Sequence, residues 1–226
     1  MIEQNLQRVS KRIEQACLTY HRPAGSVSLL AVSKTFGPET VRAALDCGLR
    51  AFGENYVQEA LDKIQALSDV RAQLQWHLIG PLQSNKTRVV AEHFDWVQSV
   101  DRLKIAQRLS EQRPEALPPL NVLIQVNTSG EDSKSGAAPA EVPALARAVA
   151  ALPRLRLRGL MALPAPTPDE AAQQRAHHAL KVLFEQLVAD GLALDTLSMG
   201  MSADLEAAIA EGATMVRVGT ALFGSR

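Results

Sequence analysis

Short runs of apolar, β-compatible residues recur along this chain at 28–33, 50–53, 75–79, 96–100, 121–126, 157–162, 196–199 and 215–218. Between them the apolar residues fall three and four positions apart, the spacing of one helix face, over 38–47, 57–67, 85–93, 102–112, 140–152, 168–190 and 203–211. A further amphipathic stretch opens the chain. Ile2, Leu6, Val9, Ile13, Cys17 and Tyr20 share a face there, and His21-Arg22-Pro23-Ala24-Gly25 ends it. Eight strands separated by helices require parallel pairing through right-handed crossovers. The pattern predicts an α/β fold, a single (β/α)₈ TIM barrel over residues 1–226, with a helix over 1–22 packed on its outside. A doubly wound open sheet is the competing architecture, but the first βα turn carries no glycine-rich dinucleotide fingerprint.

Turn and cap residues agree with these boundaries. Thr167-Pro168-Asp169-Glu170 reads as a capping box with proline at the first helical position. Gly37-Pro38-Glu39 opens the helix after the first strand, and Gly191 and Gly212 fall where helices should end.

Composition narrows the function classes. The chain holds 24 basic and 24 acidic residues, so no global field draws it to nucleic acid or to a membrane surface. No apolar run is long enough for a membrane span, and the first residues, MIEQNLQRVSKRIEQ, are too polar for a secretory leader. Cys17 and Cys47 have neither metal-ligand spacing nor a disulfide framework, and read as apolar fillers in a protein of the reduced cytoplasm. His177 and His178 have no companion at ligand spacing, so no metal site is expected.

The polar residues gather where one mouth of such a barrel should lie, after the C-terminal ends of its strands. Lys34 follows the first strand directly. A lysine there is a candidate Schiff-base former, because burial favours the neutral, nucleophilic amine. Asn55 and Tyr56 follow the second strand, His77 lies on the third, Asn85 and Lys86 follow it, and Asn127 follows the fifth. Met201-Ser202-Ala203 precede a helix, whose free N–H groups and positive end favour an anion. Gly219-Thr220 precede a short final segment, where glycine lets the backbone approach a ligand closely. Taken together, opposite a strand-end lysine, these two loops read as a phosphate cradle. Singly, Ser202 reads as well as an N-cap, and Gly219 as a turn.

Arg217 lies within the apolar run MVRV and is expected to point into the barrel or its mouth. A buried guanidinium needs a partner, either a carboxylate such as Glu54 or Asp204, or a ligand's ring nitrogen or phosphate. His77 reads as readily as a core histidine, Asn55, Asn85 and Asn127 as loop caps, and Lys86 and Lys134 as solvated charges. Arg154, Arg156 and Arg158 alternate and read as a solvated approach to the sixth strand.

The strings LLAVSKTFGPETV, AFGENYVQEA, WHLIGPLQSNK, VQSVD, VNTSGEDSKSG, RGLMAL, LSMGMSADLEAAI and VRVGTALFG, in this order and spacing, resemble the pyridoxal 5′-phosphate homeostasis protein family over essentially the whole chain. The resemblance implies a barrel like the N-terminal domain of alanine racemase, the fold-type III arrangement of pyridoxal-phosphate proteins. It implies that Lys34 carries the cofactor as a Schiff base, and that Ser202, Gly219 and Thr220 cradle its phosphate. It also implies that Arg217 faces the pyridine nitrogen, leaving it unprotonated and the ring a weaker electron sink. Asn55, His77, Asn85 and Met201 match motif positions that line the pocket. Lys134 matches a second family lysine that receives or passes on the cofactor. Some relatives carry a lysine where this chain has Phe36, so a transfer role for that lysine does not apply here.

Alanine racemase adds a β-rich domain that donates a catalytic tyrosine, and no room for such a domain is expected between the eighth strand and Arg226. Only Tyr20 and Tyr56 are present, whereas racemisation needs proton donors on both faces of the α-carbon. The expected function is therefore a carrier without a firm catalytic residue. It would hold pyridoxal phosphate on Lys34, buffer it for vitamin B6 homeostasis and deliver it to apo-enzymes, and with no large apolar stripe demanding a partner a monomer is the default state. The alternatives are a minimal pyridoxal-phosphate racemase, decarboxylase or lyase, and a Schiff-base aldolase using Lys34 directly on a phosphorylated sugar.

Overall fold

The computed structural model describes residues 1–129 and 135–224. Eight strands, β1 (Ser28–Val32), β2 (Ala51–Glu54), β3 (Gln75–Leu78), β4 (Trp96–Val100), β5 (Leu120–Val126), β6 (Leu155–Ala162), β7 (Thr196–Ser198) and β8 (Met215–Val218), follow one another around a closed barrel. All pairs are parallel, and β8 closes the ring on β1 with Leu30 opposite Arg217. The outer layer is α1 (Ile2–Thr19), α2 (Pro38–Asp46), α3 (Val57–Ala66), α4 (Thr87–His93), α5 (Leu103–Gln112), α6 (Val142–Ala150), α7 (Glu170–Ala189), α8 (Leu205–Ala210) and α9 (Thr220–Phe223). This is the expected (β/α)₈ barrel, with α1 laid against α8 and α9.

Alternation along the strands divides the core in two. Phe52, Trp76, Leu78 and Val97 face outward into the large layer shared with the helices. Leu30, Ile79 and Met215 form one small cluster inside, and Trp96, Leu123 and Met161 form another. Arg158 seals the N-terminal end. Its guanidinium lies 4.7 Å from the Trp96 ring centroid and pairs with Asp195 at 2.8 Å. It is thus not the solvated charge its spacing implies. Arg154 is held as well, donating to Ser110 O at 2.9 Å.

Several helices start a residue or two later than the sequence places them, and two of these late starts have a visible local cause. In α7 the cap is Asp169, whose carboxylate accepts from Ala171 N at 3.0 Å. The Thr167 hydroxyl is already engaged by Asp169 N, which leaves Pro168 in the turn before the helix instead of at its first position. Residues 202–204 form a turn before α8, because the Asp204 carboxylate accepts from Met201 N at 2.7 Å. Gly191 and Gly212 follow α7 and α8 with φ of +95° and +99°, the left-handed conformation that ends a helix. Among the described residues, no helix is long and apolar enough to cross a membrane.

Candidate functional site

At the C-terminal mouth lies a cavity of about 370 Å³. Its wall is drawn from five strand ends: Asn55 after β2, Ile79-Gly80-Pro81 after β3, Gln125 on β5, Leu163 and Pro164 after β6, and Met201 after β7. No carboxylate is among its described lining residues. Asn55 Oδ1 is buried without a hydrogen-bond partner. Gly80 sits so close to Asn55 that a Cβ there would lie 2.1 Å from Asn55 O, so only glycine lets β3 pass. A second cleft, about 440 Å³, lies away from this mouth between α1 and residues 22–29, and contains none of the candidate site residues.

Lys34 stands two residues beyond the end of β1, half-buried, in a turn closed by Phe36 N donating to Ser33 O at 3.1 Å. The inward positions Leu30 and Val32 precede it at the strand's two-residue period. Thr35 has φ +67°, the left-handed region that a β-branched residue enters only when its surroundings impose it. The surroundings here are ionic. Glu54 points outward from β2, fully buried, and meets Lys63 of α3 at 2.8 Å. Lys63 Nζ, 4% exposed, also donates to Glu59 at 2.6 Å and to the Ser33 carbonyl at 2.8 Å. Glu59 in turn accepts from Thr35 N, and the Ser33 hydroxyl donates to Glu54. Burial pushes the Glu54 carboxyl above its ordinary range, against the charge of Lys63 and the hydrogen bonds from Lys63 and Ser33.

Arg217 is buried inside the barrel, as its apolar neighbours imply. Neither expected carboxylate bonds to it. Glu54 faces the opposite side of its strand and belongs to Lys63, while Asp204 is bonded to His177 Nε2 at 2.9 Å and to Met201 N. Arg217 donates instead to Ser198 Oγ at 2.6 Å and Ala162 O at 2.7 Å. Burial pushes its pKa down to about 10, with the Asp204 charge opposing. The bonds continue as a relay: Ser198 Oγ donates to Gln98 Oε1 at 2.7 Å, and Gln98 Nε2 meets His77 Nδ1 at 3.0 Å. Burial pushes His77 down to about 3, so the ring is neutral at pH 7 and Nδ1 accepts from Gln98. The imidazole stacks on Trp96 with centroids 5.0 Å apart, and its Nε2 is buried without a partner.

The two loops read as a phosphate cradle occupy the same rim. Gly219 backs onto the end of β1, where a Cβ would lie 3.2 Å from Val32 O. Neither Gly219 before α9 nor Asp204 before α8 supplies a side-chain cap to its helix, so the first N–H groups of each helix receive no bond from the cap side chain. Gly200 has φ +93° and packs against Ala208, which folds the loop back over α8. Arg12 of α1 braces this loop from outside, bonding Ser202 O at 3.0 Å and Glu206 at 2.7 Å. Burial pushes the Asp204 carboxyl up, but His177, Met201 N and the Arg217 charge together hold it below the usual range.

The structure thus brings Lys34, Asn55, Met201, Ser202, Gly219 and Thr220 to one end of the barrel, with Arg217 beneath. His77 lies deeper and is linked to Arg217 through Gln98 and Ser198 rather than through the cavity wall. Asn85 is exposed on the 3₁₀ turn Ser84–Lys86 and does not line the cavity. Asn127 turns its side chain to Ser129, which it accepts from at 2.8 Å. Lys134 lies outside the described residues. Sequence reading missed Gln98, Lys63 and Glu59. Lys63 left one trace, in that it shares its helix face with the buried Ala60, Ile64 and Leu67.

Comparison with known proteins agrees with this fold. Residues 2–226 match the family model described as alanine racemase, N-terminal domain. A pyridoxal phosphate homeostasis protein of Pseudomonas aeruginosa is 63% identical over 225 residues, covering 100% of this chain and 96% of the relative. PipY of Synechococcus elongatus, solved with PLP bound, superposes with a TM-score of 0.85 at 38% identity, covering 99% of this chain and 100% of PipY. Alanine racemase from Corynebacterium glutamicum shares the fold, with a TM-score of 0.73 at 18% identity over 100% of this chain and 61% of that enzyme. With a fold-type III barrel, a lysine at the end of its first strand and this degree of identity, the chain belongs to the pyridoxal phosphate homeostasis protein family.

Proposed function

We propose that this protein binds pyridoxal 5′-phosphate at the barrel mouth through Lys34, and buffers or delivers it in vitamin B6 homeostasis in the cytoplasm. The observation that carries the reading is a strand-end lysine, on a braced turn, at the same barrel end as a buried arginine that no carboxylate bonds among the described residues. The residues present fit the cofactor. Of the candidate residues, Asn55 and Met201 line the described cavity, which holds no carboxylate, and the buried Asn55 Oδ1 there lacks a donor. Backbone N–H groups before α8 and α9, with Ser202 and Thr220, suit an anion. Relatives named for pyridoxal phosphate homeostasis, and PipY with PLP bound, support the same assignment.

When bound, the cofactor supplies an aldehyde that condenses reversibly with a primary amine. Lys34 would hold it covalently, Ser202, Gly219 and Thr220 would bind the phosphate, and Arg217 would face the ring. Arg217 is already oriented by Ser198 and the Ala162 carbonyl, so no rearrangement is needed to present its charge. Recipient apo-enzymes and a monomeric state belong to the same proposal. The test is a visible absorption spectrum of the purified protein before and after borohydride, followed by peptide mapping. A yellow band that borohydride removes, with the label on Lys34, is expected. A colourless protein that stays unlabelled after pyridoxal phosphate is added overturns the reading.

A further inference from the structure

We propose that Glu59, acting with Lys63 and Glu54, is a positioning residue for Lys34, and that this cluster sets how readily Lys34 Nζ reaches an aldehyde. The inference rests on the reading of Lys34 as the cofactor amine. A cluster that only tied α3 to β2 would need Glu54 and Lys63 alone. Here the further contacts go to the backbone on either side of Lys34. Lys63 Nζ holds the Ser33 carbonyl at 2.8 Å, and the Glu59 carboxylate holds the Thr35 N–H. Both peptide groups flanking the lysine are therefore fixed by charged, mostly buried partners from another element.

The backbone between them is not one that Thr35 adopts unaided. A β-branched residue at φ +67° is crowded, and the Glu59 bond opposes its relaxation toward negative φ. Relaxation would swing the peptide that follows Lys34 and re-aim its side chain. Condensation forms a C=N bond between Nζ and the aldehyde carbon, and the aldehyde oxygen leaves as water with two protons from the amine. That step is sensitive to the placement of Nζ against a phosphate-anchored aldehyde, because bound reactants gain rate from alignment.

The experiment uses the full chain, freed of cofactor, with pyridoxal phosphate and cyanoborohydride as the probe. Labelling of Lys34 is followed in time by peptide mapping, and normalised to Lys11, an exposed lysine on α1. Glu59→Ala is the chosen variant, since Glu59 is 29% exposed at its side chain and leaves the Glu54–Lys63 pair in place. The Lys34-to-Lys11 rate ratio should fall about five- to tenfold. Adding Thr35→Gly to Glu59→Ala should restore it to within about twofold of wild type, because glycine adopts positive φ without steric cost. General loosening of the fold would not be repaired by a glycine, so the rescue separates positioning from stability. An unchanged ratio in Glu59→Ala, or a lowered ratio that Thr35→Gly fails to restore, overturns the inference. Wild-type protein that never labels at Lys34 overturns instead the cofactor reading beneath it.

Discussion

Lys63 and Arg217 are both buried cations of the same barrel, yet among the described residues Lys63 meets two carboxylates and a carbonyl, whereas Arg217 bonds to a hydroxyl and a carbonyl. Lys63 lies on the outer side, between β2 and α3, and its charge is neutralised within the fold. Arg217 lies inside, where it feels the charge of Asp204 but bonds to no carboxylate among the described residues. The difference separates a structural ion cluster from a binding one. A cation bonded to its counter-ions contributes to architecture, and one held in place by neutral groups, with a carboxylate acting only through its charge, keeps its donors suited to an anionic or electron-rich ligand.

The comparison can be broken from either side. The largest effect is expected at the lysine that the outer cluster braces: Lys34→Ala should abolish the borohydride-reducible band, and a band retained at full occupancy would mean that another amine carries the cofactor. Next is Lys63→Met, which strands Glu54 in the interior. Its stability should fall by about 3–5 kcal/mol in urea denaturation. A loss below about 1 kcal/mol would show that Glu54 is readily neutralised by protonation.

On the inner side, the relay predicts a pH dependence. His77 is held down to about 3, against about 6.5 for an unfolded histidine, so between these values the unfolded chain binds the extra proton. Stability from this group is complete above about 6.5 and is lost as pH falls, by about 1.4 kcal/mol per pH unit. His77→Gln should flatten that limb when denaturation midpoints are compared between pH 7 and 4, and parallel curves for the two proteins would contradict it. The smallest effect is expected for Ser198→Ala, which removes one of the two groups holding Arg217. It should cost about 1–2 kcal/mol of stability and weaken cofactor retention in dialysis, whereas unchanged retention would leave Ala162 O as sufficient support.

The barrel was legible in the chain because eight short apolar runs alternate with helix-spaced stretches, so errors of one or two residues at an edge do not alter the topology. Lys34, Arg217 and the two rim loops were legible for a related reason: the fold assigns chemistry to strand ends, and strand ends can be counted. The partners were harder to see. Arg217 finds Ser198 on the neighbouring strand, and Gln98 finds His77 beside it and Ser198 across the barrel, contacts set by how the strands stagger rather than by separation along the chain. Glu59 and Lys63 look like an ordinary pair of helix-surface charges four residues apart, and only the packing of α3 on β1 and β2 turns them inward. The late start of α7 has a local cause, since Thr167 and Asp169 both offer a cap and the backbone uses the second.

The placement of α1 bears on how the chain is made. Its apolar face, Val9, Ile13, Ala16 and Cys17, is covered by α8 and α9, with Asn5 bonded to Leu222 O at 2.8 Å and Arg22 to Ile209 O at 3.0 Å. Because α1 is synthesised before α8 and α9, its apolar face must wait for them, and β1 waits with it for β8. Closure is a late event in translation, and a nascent chain stalled before β8 should present α1 to proteases and to holding chaperones until the ring is complete.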